Sequence, residues 1–92
     1  MPRPLKAYGA AIMLLVGERE ALGLRPHIRQ GRGVIAATSL TAASRALGVS
    51  RDYVSETGNA RDIADAMAYP GRVVVRPSSG RSDAMIVREA AS

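Results

Sequence analysis

The chain has no cysteine, no phenylalanine and no tryptophan, and only one histidine. Without cysteine there can be no disulfide, no thiolate metal site and no cysteine nucleophile. That fits a reducing compartment, and the expected location is cytoplasmic. A lone imidazole, His27, cannot build a metal site of the usual nitrogen or sulfur type. It also lacks a nucleophile and an orienting acid at a spacing that would make it a catalytic base. Tyr8, Tyr53 and Tyr69 are the only aromatic residues. The core must therefore be aliphatic, and a base-stacking platform for single strands, which needs several rings on one surface, is excluded. Long apolar runs are missing as well. The longest, Ala7 to Val16, is far short of the ~20 residues that span a bilayer. Arg3 and Lys6 precede it in the manner of a signal peptide, but Gly17 leads straight into Glu18, Arg19 and Glu20 with no small-residue cleavage site. The run reads as a buried strand, and no membrane partner is expected.

What is present is aliphatic and basic. The chain has 92 residues, 47% of them apolar, which fits one domain over 1–92 with one modest core. The formal charge is +5 and the sequence pI about 10.7. All basic residues except Lys6 are arginine. Arginine suits bidentate contacts with phosphate, carboxylate and guanine. A surface of this charge favours nucleic acid or an acidic protein face, although charge alone speaks only to solubility and non-specific binding.

The pattern along the chain predicts a small α+β protein of order β-β-α-α-α-β-β, with short helices covering one face of an antiparallel sheet. Leu5–Val16 is a strand apolar on both faces, with Gly9 marking a bulge or close backbone approach. Gly17–Gly33, rich in glycine and charge, is a connection that could form a mobile basic arm. Val34–Ala37 is a short strand. Ser39 caps a helix with Leu40, Ala43 and Leu47 at helical spacing, ended by Gly48. Ser50 caps a second helix with Tyr53 and Val54 facing inward. Asn59 caps a third, with Asp62 in its first turn and Ile63, Ala64, Met67 and Ala68 as its apolar face. Pro70 and Gly71 turn the chain into the strand Arg72–Arg76. Pro77–Ser82 is turn chemistry, and Ala84–Val87 is a returning strand.

ASRALGVSRDYVS resembles the helix-turn-helix of bacterial and phage DNA-binding proteins, within a segment running from Ser39 to Thr57. Ser44 beside Ala43 stands where the partner helix packs closely. Leu47, Gly48 and Val49 form the turn, Ser50 caps the recognition helix, and Val54 is its inward β-branched residue. The resemblance implies that helix Ser50–Glu56 presents Arg51, Asp52 and Ser55 to a groove, with Arg45 and Arg51 at the backbone. It also implies a homodimer, since a single short module gains affinity and a symmetric site by pairing. The pattern departs at Thr57, where an inward apolar residue is usual, and at Gly58-Asn59, which stop the helix. A second resemblance runs from VIAATS through LGVS and SETGN to AMAYPGRVVVRP. It is to a group of small bacterial, phage and plasmid proteins with no established activity, and it implies architecture only. Anti-CRISPR inhibitors are comparable in size and context alone.

Other motifs carry less. GRGVIA has the glycine spacing of a dinucleotide loop but precedes a strand instead of following one. Asp62 and Asp65 share a helix face and read as a solvated pair with Arg61. There is no P-loop or nucleophile elbow, so no catalytic residue, metal or cofactor is expected. The expectation is a non-catalytic nucleic-acid-binding regulatory protein in which Arg25, His27, Arg29 and Arg32 of the arm meet phosphates. The alternative is a phage- or plasmid-encoded anti-defence inhibitor that uses the same residues against a host protein or nucleoprotein complex.

Overall fold

The computed structural model describes residues 4–78 and 83–91. One five-stranded sheet, antiparallel throughout, is built from β1 (Lys6–Met13), β2 (Gln30–Ala37), β3 (Ser55–Glu56), β4 (Arg72–Pro77) and β5 (Ile86–Glu89), in the order β3-β1-β2-β4-β5. The helices are α1 (Val16–Ala21), α2 (Leu40–Leu47) and α3 (Ala60–Ala68), with a single 3-10 turn at Arg51–Tyr53. The α+β class holds.

The helices cover both faces of the sheet, not one as the sequence suggested. On the first face Tyr8, Ala10, Ile12, Ile35, Val73 and Val75 pack with Ala43 and Leu47 of α2 and with Leu22 just after α1. On the second face Ala7, Val34, Ala36 and Val74 pack against Ala66 of α3. The cause lies in the strands. Successive side chains point to opposite faces, and the unbroken apolar runs of β2 and β4 leave both faces needing cover.

Gly31 and Gly33 belong to β2, not to an arm, and point to the first face. A Cβ on Gly33 would lie 2.9 Å from Ile12 Cδ1 and 3.1 Å from Leu47 Cδ2. One on Gly31 would lie 2.7 Å from the Arg76 carbonyl oxygen. The glycines let α2 and β4 sit close, while Arg32 between them points to the second face.

Helix boundaries follow their caps. Ser39 Oγ accepts from the Ala42 N–H at 3.1 Å, and Gly48 closes α2 with φ 72°. Asn59 Oδ1 accepts from the N–H groups of Arg61 and Asp62 at 3.0 and 3.1 Å.

The expected helix Ser50–Glu56 is not formed. After the 3-10 turn the chain is extended, Val54 enters the first-face core, and Ser55 and Glu56 pair with Gly9 and Tyr8 as β3. The Thr57 N–H then donates to the Ala7 carbonyl at 2.9 Å. The chain has to travel from α2 on one face to α3 on the other around the outer edge of β1. A helix through Glu56 would forfeit those edge hydrogen bonds.

Three further expectations are corrected. Tyr53 does not face inward; it is 73% exposed. In α3 the assumed apolar face looks outward, and Asp62 and Ala66 are buried instead. The returning strand is shifted to Ile86–Glu89. Of the expected turn Pro77–Ser82, residues 79–82 lie outside the described residues.

Candidate functional site

The charges of this chain fall into two sets, one consumed inside the fold and one left at its surface. The inner set centres on Asp62, 3% exposed in the first turn of α3. Arg32 and Arg76 stand directly opposite each other on β2 and β4. Arg32 donates to Asp62 Oδ2 from Nη2 at 2.8 Å and from Nε at 3.2 Å. Arg76 pairs with Oδ1 of the same carboxylate. The Thr57 hydroxyl donates to Oδ2 at 2.9 Å. Asp65, one turn on, lies 3.5 Å from Arg76 Nη1 and 3.9 Å from Arg61 Nε. Gly9 makes room for this cluster, since a Cβ there would meet the Arg32 guanidinium at 2.6 Å. Burial holds the Arg76 guanidinium below the usual arginine value, and repulsion from Arg61 and Arg32 adds to this. Asp62 is thus no solvated partner of Arg61 but the counter-charge that permits two arginines beneath a helix.

A second inner pair lies on the first face. Arg88 of β5 donates from Nε to Glu18 Oε2 at 2.7 Å, and its Nη2 reaches Glu18 Oε1 and the Met13 carbonyl. Glu18 Oε1 also accepts the Leu15 N–H at 2.8 Å, so one carboxylate ties α1 to the far edge strand. The hydrogen bond from Arg88 holds the Glu18 carboxyl below its ordinary value; burial opposes this, and the Leu15 N–H assists it.

Exposed pairs use more of the charge: Lys6 with Glu56, Arg72 with Glu89, and Arg61 with Asp83. Arg19 donates to the Leu14 carbonyl. Among the described residues, Arg25, Arg29, Arg45 and Arg51 have no acidic partner. All four are exposed, as is His27.

The structure therefore divides the sequence-derived site residues. Arg25, His27 and Arg29 lie exposed between α1 and β2, Arg45 in the last turn of α2, and Arg51 and Asp52 in the 3-10 turn. Arg32 is withdrawn from this group because its guanidinium is held by Asp62. Ser55 is withdrawn as a groove-facing helical residue because it is a strand residue opposite Gly9. The segments that carry the remaining groups each send apolar residues into the first-face core. α2 starts three residues after β2 ends and folds back, so Leu47 lies over Gly33, near the beginning of β2. Leu22 and Leu24 of the preceding connection pack into the same core as Leu47. The C-terminal end of α2 thus points toward the segment that carries Arg25 and Arg29.

The positions assigned by the helix-turn-helix resemblance are mostly packed. Ala43, Leu47 and Val54 are buried against the sheet and not against a second helix, and buried Ser44 turns its hydroxyl to the Thr41 carbonyl of its own helix. Sequence reasoning missed exposed Tyr53 beside Arg51. The signal available was the early stop at Gly58-Asn59, which leaves too little helix to bury both Tyr53 and Val54. Among the described residues, no three His, Asp or Glu side chains come together that could hold a metal ion. No helix among them is long and apolar enough to cross a membrane. No protein family, no curated protein and no solved structure matches this chain.

Proposed function

We propose that this is a non-catalytic nucleic-acid-binding protein that grips backbone phosphates with the layer formed by α1, α2 and the 3-10 turn. The observation that carries the reading is the sorting of charge. Most acids are spent on cations elsewhere in the fold, whereas Arg25, Arg29, Arg45 and Arg51 are exposed and have no acidic partner among the described residues. Only Glu20 and Asp52 among the described acids have no cation partner to offset them. Unpaired arginines are free to replace counterions on a phosphate backbone without breaking internal contacts. Tyr53 of the same 3-10 turn adds one exposed ring, enough for a single stacking contact.

The 3-10 turn is too short to enter a groove as a recognition helix. Binding is therefore expected to depend on phosphates and to vary little with sequence. The test is fluorescence anisotropy on a labelled random duplex over a salt series. Four phosphate contacts give a slope of log affinity against log salt of roughly −3 to −4. Substituting Arg25, Arg29, Arg45 and Arg51 by alanine together should abolish it. A wild type that fails to bind at low salt would sink the nucleic-acid reading and turn the same arginines toward an acidic protein surface, as an anti-defence inhibitor would use them.

A further inference from the structure

β1 is covered along only part of its outer edge. It has eight residues, whereas β3 pairs with it at Tyr8 and Gly9 alone. Along an antiparallel strand the N–H and C=O groups of successive residues point to alternate sides. The Leu14 N–H donates to the Arg29 carbonyl on the β2 side, and the Ala7 carbonyl accepts from Thr57 on the β3 side. Ala7, Gly9, Ala11 and Met13 therefore turn their backbone groups outward. Thr57 and Ser55 meet the first two. The Met13 carbonyl accepts from Arg88 Nη2 at 2.9 Å. Among the described residues nothing pairs with the Ala11 N–H, the Ala11 carbonyl or the Met13 N–H. The cover stops there because Val54 leaves the edge for the first-face core. The side chains along this stretch are apolar. Ala11 is exposed, as is Met13, and Leu15 and Val16 just beyond are more than half exposed. Ala10–Met13 also has no lysine or proline, the residues that usually guard an edge left to water.

We infer that this free part of the β1 edge takes up an extended acidic segment of a partner protein, antiparallel to β1 and in line with β3. The backbone decides the form of the occupant. A donor and an acceptor on Ala11, and a second donor two residues on, match the two-residue repeat of an extended main chain. A helix spends its backbone groups on itself and cannot supply them. β3 is the precedent on the same edge, held through its main chain with both side chains exposed. The incoming residue opposite Ala11 would give one hydrogen bond and accept another, and the residue opposite Met13 would accept the third. Their side chains fall on the face of Ala11 and Met13, where apolar groups fit. Toward its N-terminus the segment runs past Leu14, whose carbonyl holds Arg19 Nη1 at 3.3 Å. Arg19 has no acidic partner among the described residues, so an acidic side chain suits that end. A second copy does not meet this requirement. It brings a further net charge of +5, and its own β1 has no acidic residue to offer.

The probe is a blocked synthetic peptide, Asp-Thr-Val-Thr-Val, titrated to about 2 mM into the isotope-labelled whole chain and followed by amide NMR. The Ala11 and Met13 amides should shift most and exchange more slowly with solvent, while those of Ala10 and Ile12, which face β2, stay as they were. N-methylation of the last valine removes the donor to the Ala11 carbonyl and should weaken binding by about tenfold or more, with the protein itself unaltered. Lysine in place of the aspartate, or Arg19→Ala in the protein, should weaken it by about twofold to fivefold. The inference is overturned if the Ala11 and Met13 amides do not respond at the highest peptide concentration. It is equally overturned if the N-methylated peptide binds as well as the parent. Two further results would replace the occupant: a shift of these amides on concentrating the chain alone, which means a second copy, or on adding random duplex, which means nucleic acid.

Discussion

Arg32 and Arg76 face each other across the β2–β4 ladder and both end on the single carboxylate of Asp62. Two cations side by side on a sheet would repel; the third residue of α3 makes the arrangement stable and fixes the helix to the sheet. Removing that carboxylate leaves half-buried Arg32 without an acidic partner among the described residues and buried Arg76 with only Asp65, 3.5 Å from its Nη1. Asp62→Ala is expected to cost about 3–5 kcal/mol. Asp52→Ala, at an exposed site, should stay within about 0.5 kcal/mol. Urea unfolding followed by far-UV circular dichroism measures both, and equal effects would refute the structural role of Asp62.

The β1–β2–β4 core was legible in the sequence because strand signals are local: β-branched runs, an apolar stretch, and glycine or proline at the ends. The caps of α2 and α3 were legible for the same reason, since Ser39, Gly48 and Asn59 act within a few residues of themselves. The orientation of α3 was not. Periodicity offers an apolar stripe at Ile63 and Met67, and burial of that stripe is the default. What overrides it is a long-range ion pair with arginines in β2 and β4, invisible without the fold. The segment Ser50–Glu56 failed in the same way. Its capping serine is real, but strand pairing with β1 outcompetes a helix that local pattern alone supports. Of the candidate site, the exposed arginines were identifiable by type, whereas Arg32 could be told from its neighbours only once its partner was known.

Packing around the β2 glycines is tight enough to test. At Gly33 a methyl group would press on Ile12 and Leu47, and at Gly31 on a backbone oxygen that cannot swing away. Gly33→Ala should destabilise by about 1–3 kcal/mol, and Gly31→Ala by at least as much. Gly58 is the contrast. Nothing lies within 4 Å of its Cβ position and its φ is not positive. Gly58→Ala should therefore be neutral or stabilising by about 0.4–1 kcal/mol through the unfolded chain. Thermal unfolding of the three variants decides whether the glycines are spacers or merely turn residues.

Acid sensitivity should trace in part to Glu18. Its carboxyl is held below the ordinary value of 4.5 by Arg88, so the folded state binds this proton less readily than the unfolded chain. The stabilisation is complete above about pH 4.5 and is lost as pH falls through the lowered folded value. Glu18→Gln should be less stable than wild type at pH 7, and the gap should narrow toward pH 3. A gap that stays constant over that range would mean that the Glu18–Arg88 pair carries no charge-linked stability.

Binding and stability should separate cleanly among the arginines. Arg25 and Arg29 make no ion pair among the described residues, so Arg25→Ala/Arg29→Ala should change unfolding by no more than about 0.5 kcal/mol. If each meets one phosphate, the double variant lowers the salt slope of duplex binding by roughly 2. Arg32→Ala should do the opposite. It strips Asp62 of one partner and lowers stability, yet leaves the slope of the folded protein unchanged. The comparison is made by anisotropy titration and urea unfolding on the same samples. If Arg32→Ala lowers the slope as much as the loop variant does, the inner and outer charges are not functionally distinct. The phosphate-binding layer would then have to be redrawn to include the second face of the sheet.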